Sequence, residues 1–190
     1  DGVSFRSHLD GSLQRLTPES ATEIQARLGA DIAMVFDECT SYPVSEDQAR
    51  DSMQRTLRWA RRGRERFLAI AADPGALDGA VTNPGQAQFG IVQGSVYGRL
   101  REQSARDTVA LEFEGLAIGG LSVGEPVEVM YDVVAGTVAM LPDDRVRYLM
   151  GTGMPDDLVE CVARGIDLFD CVLPTRNARN GQLFTRAGPL

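Results

Sequence analysis

Lysine is missing altogether: all 19 basic residues among the 190 are arginine, and histidine occurs once, as His8. A P-loop and Schiff-base chemistry both need a lysine and are excluded, and a Ser-His-Asp or Cys-His mechanism would have to rest on His8 alone. Cysteine is scarce as well. The three present, Cys39, Cys161 and Cys171, are too few and too scattered for a structural zinc site, and an odd, unclustered set points to a reducing cytosol rather than a disulfide framework. No run approaches the ~20 apolar residues of a membrane span and nothing reads as a signal peptide, so a cytoplasmic protein without membrane contact is expected. Surplus positive charge is also lacking. Asp and Glu number 27, which leaves a formal net charge of −8. Non-specific nucleic-acid binding relies on a positive field to displace counterions and is disfavoured, whereas an enzyme specific for one nucleic acid is not.

What is present is ordinary for a globular chain, with 43% hydrophobic and 24% charged residues. Five short apolar runs stand out: Asp31 to Phe36, Gln88 to Val92, Gly115 to Ile118, Val146 to Met150 and Ile166 to Phe169. Between them lie segments of helical periodicity. Ser45 to Phe67 puts Met53, Leu57 and Ala60 on one face and leaves an Arg-rich remainder toward water. Val96 to Leu111, Val127 to Leu141 behind Pro126, and Pro155 to Arg164 with acidic residues in its first turn complete the set. The stretch from Ala71 to Gln86, with its Gly, Pro, Asn and Asp, reads as a long loop.

Continuous apolar strands alternating with helices mean parallel βα units buried on both faces. No Gly-rich fingerprint follows the first strand, which counts against an open doubly wound sheet. Every run instead delivers a polar or glycine group at its C-terminal end: Asp37, Gln93, Gly119-Gly120, Gly151 and Asp170. In a (β/α)8 TIM barrel such ends converge on one mouth, where the active site is built. A full barrel has eight strands in ~250 residues, so about five of the eight are expected here. The extended run Asp1 to Phe5 and the turn Arg186 to Leu190 then read as cut ends.

Asp37 and Asp170, each preceded by Phe and followed within two residues by Cys, are the strand-end carboxylates. Each has a structural reading, as cap of the helix that follows, and a chemical one, as half of a carboxylate pair dividing nucleophilic work from recognition of N–H groups. Gln93 offers a donor and an acceptor to a heterocyclic edge, or is a solvated turn residue. Gly119-Gly120 frees backbone N–H groups or simply makes a turn. Thr175 to Asn180 is a basic loop within an acidic chain, and its two Arg, three apart, suit phosphates. Cys39 and Cys171 read as small packing residues, His8 as a structural residue near a turn, and Met150 as core or as a thioether packing on a flat ring.

Six segments taken in order carry a resemblance: Ser7-His8-Leu9-Asp10-Gly11-Ser12, Phe36-Asp37-Glu38-Cys39-Thr40, Val92-Gln93-Gly94-Ser95, Ala117 to Glu125 (AIGGLSVGE), Tyr148-Leu149-Met150-Gly151 and Phe169-Asp170-Cys171-Val172-Leu173-Pro174-Thr175-Arg176. Together they resemble the bacterial tRNA-guanine transglycosylases, the queuine or preQ1 tRNA-ribosyltransferase family, from end to end of the chain. The resemblance implies a TIM barrel that exchanges guanine at wobble position 34 of certain tRNAs for a 7-deazaguanine, in queuosine biosynthesis. Asp170 would be the nucleophile forming a covalent tRNA–enzyme intermediate, by the logic of a retaining glycosidase. Asp37 would accept from the purine N1–H and exocyclic amine, with Gln93 and the Gly120 N–H on the O6 side. Leu121 would lend its backbone and Met150 would pack on the base. Gly151, Thr152, Gly153, Met154, Pro155, Asp156 and Asp157, with Thr175, Arg176, Asn177, Ala178 and Arg179, would line the anticodon-loop site. Val123 favours preQ1 over queuine.

The resemblance also sets what this chain lacks. Residues 1–190 correspond to the C-terminal part of the barrel domain, with the family's general acid/base aspartate ahead of Asp1 and its structural zinc site, three Cys and one His, beyond Leu190. No cofactor is expected in this chain, and a homodimer is expected of the full-length protein. Two other readings stand beside it: a non-catalytic tRNA- or purine-binding fragment or partner subunit, and an unrelated barrel glycosidase using Asp37 and Asp170 as its pair.

Overall fold

The five apolar runs form five parallel strands lying side by side in chain order, in a computed structural model that describes residues 2–73, 75, 77 and 83–190. They are β3 (Ile32–Met34), β4 (Ala87–Val92), β5 (Gly115–Ile118), β6 (Val146–Leu149) and β7 (Leu168–Phe169), preceded by an antiparallel hairpin of β1 (Val3–Arg6) and β2 (Leu13–Leu16). The connecting helices are α2 (Glu46–Ala72), α3 (Gly98–Val109), α4 (Val127–Val138) and α5 (Pro155–Ala163), with α1 (Pro18–Leu28) before β3. After β7 come α6 (Leu173–Arg179) and a second small hairpin, β8 (Phe184–Thr185) with β9 (Gly188–Pro189). A doubly wound sheet reverses its strand order at a switch point and a barrel does not. The uninterrupted order β3-β4-β5-β6-β7 therefore describes a curled half-barrel, as the sequence leads one to expect.

Helix α1 is absent from the expectations above although its signals are plain. Thr17 and Ser20 form a capping box, Pro18 opens the first turn, and Gly29 closes the helix in the left-handed region at φ 66°. Helix α2 starts at the same kind of box, Ser45 with Gln48, and its 27 residues run about 40 Å, past the expected end at Phe67. Its arginines do not all face water. Arg62 and Arg66 reach Glu19 and Glu23 of α1 at 2.6 and 2.7 Å, and Arg64 is buried, clamping both oxygens of Glu114 at 2.9 Å. Of the loop expected over 71–86, Ala71 and Ala72 belong to α2, while 74, 76 and 78–82 lie outside the described residues.

The core lies between the sheet and helices α3 to α5. Ile91, Val92, Leu116, Ala117, Ile118 and Leu149 from the strands meet Ala105, Met130, Val134 and Cys161 from the helices, all essentially without exposure. At about 25 cal/mol per Å² of apolar surface removed from water, this layer is the main force holding the strand ends in register. That register is what positions the site.

Candidate active site

Paired rows run Val92 with Ile118, Ile118 with Leu149, and Leu149 with Phe169. One residue further along each strand, Gln93, Gly119, Met150 and Asp170 come to one level on the C-terminal edge. Asp37 follows three residues after β3, whose ladder gains one more rung through the Val35 N–H to the Phe89 carbonyl, 3.1 Å. Both carboxylates thus stand on the rim where barrel enzymes carry their chemistry.

Neither carboxylate caps a helix. The cap of α2 is Ser45 and that of α6 is Val172, so the structural reading of these aspartates fails. The half-buried Asp37 instead accepts from Gln93 Nε2 at 2.7 Å. Burial raises the Asp37 pKa above its ordinary value, opposed by the Gln93 hydrogen bond. Gln93 is 3% exposed, and its backbone N–H donates to Ser104 Oγ at 2.9 Å. The Gly119-Gly120 turn lies against the same amide. Gly120 sits at φ +68°, and a Cβ there would come 2.4 Å from Gln93 Oε1, so only glycine fits. Leu121 turns its side chain into the core, which leaves its backbone to the site. Beyond it, Glu125 gathers the loop by accepting from the Ser122 and Val123 N–H groups, the latter at 3.0 Å.

Asp170 is exposed. Its Oδ1 accepts two hydrogen bonds of 2.7 Å, from the Tyr148 hydroxyl and from the Gly151 N–H, both supplied by the neighbouring β6 and its exit. Among the described residues Oδ2 has no hydrogen-bond partner, so one oxygen is anchored and the other faces outward. Burial and the Asp170 contact push the Tyr148 phenol well above its ordinary pKa, so it stays a donor. Tyr148 had no role in the expectations, and its place on a short strand carries no signal of a partner on β7. Met150 is half-buried against the core.

The two segments expected at the anticodon loop meet. Met154, Pro155, Asp156 and Asn177 line one cleft together with Gln182 and Phe184. Thr175 to Arg179 belong to a short helix rather than a loop, and Arg176 and Arg179 emerge together in its last turn, both exposed. Gly151 is exposed, Gly153 abuts Cys171, and Ala178 is exposed. Two members are engaged elsewhere. Thr152 is 1% exposed, its hydroxyl donating to the Met130 sulfur at 3.8 Å, and Asp157 accepts from the Tyr131 hydroxyl at 2.7 Å.

Cys39 is exposed and Cys171 half-buried, so the packing reading is corrected for Cys39; the fully buried cysteine is Cys161. His8 stands exposed in the turn between β1 and β2. Among the described residues no three His, Cys, Asp or Glu side chains gather to hold a metal. A three-Cys, one-His zinc site does not fit these residues.

A half-barrel rim carrying a carboxylate–amide pair beside a second, anchored carboxylate defines a partial (β/α) barrel with its polar groups gathered at the C-terminal strand ends. Comparison with known proteins is specific. The family described as queuine tRNA-ribosyltransferase matches residues 1–190, and the chain belongs to that family. It is 54% identical over 188 residues to queuine tRNA-ribosyltransferase of Rickettsia africae (strain ESF-5), covering 99% of this chain and 48% of that protein. The Rickettsia bellii (strain OSU 85-389) protein of the same name is 53% identical over the same span. The chain spans about half the length of the curated relatives it matches, 48%.

Proposed function

We propose that this chain is the purine-reading and nucleophilic part of an enzyme that replaces guanine 34 of tRNA with preQ1 through a covalent intermediate. The observation that carries it is the Asp37–Gln93 bond of 2.7 Å on the same rim as Asp170. An acceptor and a donor side by side, backed by the Gly120 N–H, match the N1–H, N2–H and O6 edge of guanine or a 7-deazaguanine. Adenine presents the reverse pattern and leaves these buried groups unpaired, the strongest form of rejection.

Asp170 Oδ2 attacks C1′ of the nucleotide, and an ester C–O bond forms as the C1′–N9 bond breaks, the electron pair leaving with guanine. The departing base takes its proton from the general acid that the resemblance puts ahead of Asp1. The incoming deazaguanine gives its N9 proton to that same group, now acting as base, and attacks C1′ through N9 as the ester C–O bond breaks to return the Asp170 carboxylate. Two displacements retain the configuration at C1′. The Tyr148 and Gly151 donors hold Oδ1, so Oδ2 is aimed before the substrate arrives, which is how positioning lowers a barrier. Met150 packs on the base. Arg176 and Arg179 meet the anticodon-loop phosphates, a local basic patch on an acidic chain. The small branched Val123 favours preQ1 over queuine, and the cytoplasm and a homodimer belong to this reading of the whole protein.

The test is exchange of labelled guanine into tRNA by the protein at its full encoded length, with Asp170→Asn alongside. Wild-type exchange lost by at least ~10³-fold in the variant, a size set by removal of a nucleophile, is expected. A variant that still exchanges overturns the nucleophile, and wild-type protein that binds tRNA without exchange returns the non-catalytic reading.

A further inference from the structure

Arg101 of α3 is 1% exposed, and among the described residues no carboxylate lies within ion-pair distance of it. A buried charge without a counter-ion is expensive, so its surroundings must compensate for lost water. Three backbone carbonyls do. Nε donates to Ser95 at 2.7 Å, Nη1 to Val92 at 2.8 Å and Nη2 to Gly120 at 3.4 Å. These carbonyls belong to the last residue of β4, the turn after it, and the turn after β5. They bracket the base-reading groups: Gln93 lies between Val92 and Ser95, and the Gly120 N–H lies one peptide before the Gly120 carbonyl that Arg101 holds.

The turn that holds Gln93 needs such a fastening. Gly94 and Ser95 both have positive φ, +134° and 50°, the second in a residue with a Cβ, for which that region is unfavourable. Ser104, one helical turn after Arg101, holds the Gln93 N–H from the same helix. Burial pulls the Arg101 pKa down to about 10, which still leaves it charged near neutrality.

We propose that Arg101 is a positioning residue for base recognition: its buried guanidinium, shared among the Val92, Ser95 and Gly120 carbonyls, sets the distance between the Gln93 amide and the Gly120 N–H that together read the purine O6. This inference rests on the purine-exchange reading given above. Lysine in its place keeps the charge but donates from a single point and cannot span three divergent carbonyls. Arg101 therefore acts on O6 recognition without touching the base.

The experiment uses the protein at its full encoded length. Arg101→Lys and Arg101→Met are compared with wild type for guanine exchange and for direct binding of guanine and 2-aminopurine, which lacks O6. We expect the KM for guanine to rise about tenfold, the scale of one weakened hydrogen bond to a buried group, with kcat at saturating base within about threefold. The preference for guanine over 2-aminopurine falls by a similar factor, with lysine retaining more of it than methionine. An Arg101 that only supports the fold would lower the melting temperature and leave KM and that preference unchanged, and this result overturns the proposal. Should both variants fail to fold, the wild-type protein decides: its exchange-protected Arg101 Nε–H resonance shifts on adding guanine, and a resonance that does not move overturns the proposal. Failure of the underlying reading is separate, because wild-type protein would then neither exchange nor bind guanine.

Discussion

Asp37→Asn separates recognition from folding. In the wild type a half-buried carboxylate accepts from Gln93 Nε2 at 2.7 Å, and burial raises its pKa. An acid whose folded pKa lies above its unfolded value holds its proton more tightly in the folded state. Stability is then lost as pH rises from the ordinary 3.8 through the folded value, so at neutral pH the ionised Asp37 costs stability. Asparagine is neutral and nearly isosteric, and its Oδ1 still accepts from Gln93. The melting temperature at pH 7 should therefore stay level or rise. The wild-type deficit should shrink as pH falls through the raised folded value toward the ordinary 3.8.

Binding moves the other way. A carboxylate receiving two N–H donors from guanine makes two charge-assisted hydrogen bonds of about 1.5–3 kcal/mol each. Asparagine keeps one neutral acceptor and turns an amine toward the other donor, a loss of about 3 kcal/mol or roughly 100-fold in affinity. Titration calorimetry with guanine and a thermal melt at both pH values measure the two effects. The wild type should also lose affinity as pH falls and Asp37 protonates, and the variant should not. A variant that binds guanine within threefold of wild type, or melts several degrees lower at pH 7, refutes the assignment of Asp37 as a half-buried reader of N–H groups.

Tyr148→Phe removes one of the two donors on Asp170 Oδ1 and leaves the Gly151 N–H in place. Exchange should slow about tenfold with an unchanged melt, and wild-type rates would deny that the phenol aims the nucleophile. Gly120→Ala combines a left-handed backbone with a Cβ 2.4 Å from Gln93 Oε1, so the amide must move. Guanine affinity should drop at least about tenfold, with roughly 1–3 kcal/mol of stability lost in denaturant titration, whereas an alanine variant that binds normally would remove the turn from the site.

The sequence exposed the strands, because strands buried on both faces must be apolar throughout, and each run ended where hydrogen-bonding groups reappear. That boundary put Asp37, Gln93, Gly119 and Asp170 on the rim before any geometry was known. What stayed hidden depends on contacts distant in sequence. Tyr148 is an unremarkable strand residue until β7 brings Asp170 beside it, and nothing in Val146 to Met150 announces a pair 22 residues apart. Arg101 was legible in one respect. On α3 the stripe Leu100, Ser104, Ala105 and Thr108 is apolar or small, and an arginine on that stripe must be buried with partners. Its partners are carbonyls, which carry no side-chain signature. Helix α1 was missed despite its capping box because its polar composition masks the apolar period, and its register comes from α2 through Glu19 and Glu23.

On the proposed reading, one rim separates two tasks with a single residue type. Asp37 is half-buried and accepts from Gln93 Nε2 at 2.7 Å, which on that reading suits it to accept from the N–H groups of a base. Asp170 is exposed, and both of its donors fall on Oδ1. Anchoring one oxygen fixes the carboxylate plane and leaves the other without a hydrogen-bond partner among the described residues. On that reading a buried Asp170 could not reach a ribose, and an exposed Asp37 would accept water as readily as a purine. The division follows from the neighbouring strand, because β3 and β7 both end the sheet among the described residues: Gln93 after β4 donates to Asp37, whereas Tyr148 and Gly151 of β6 and its exit hold one oxygen of Asp170.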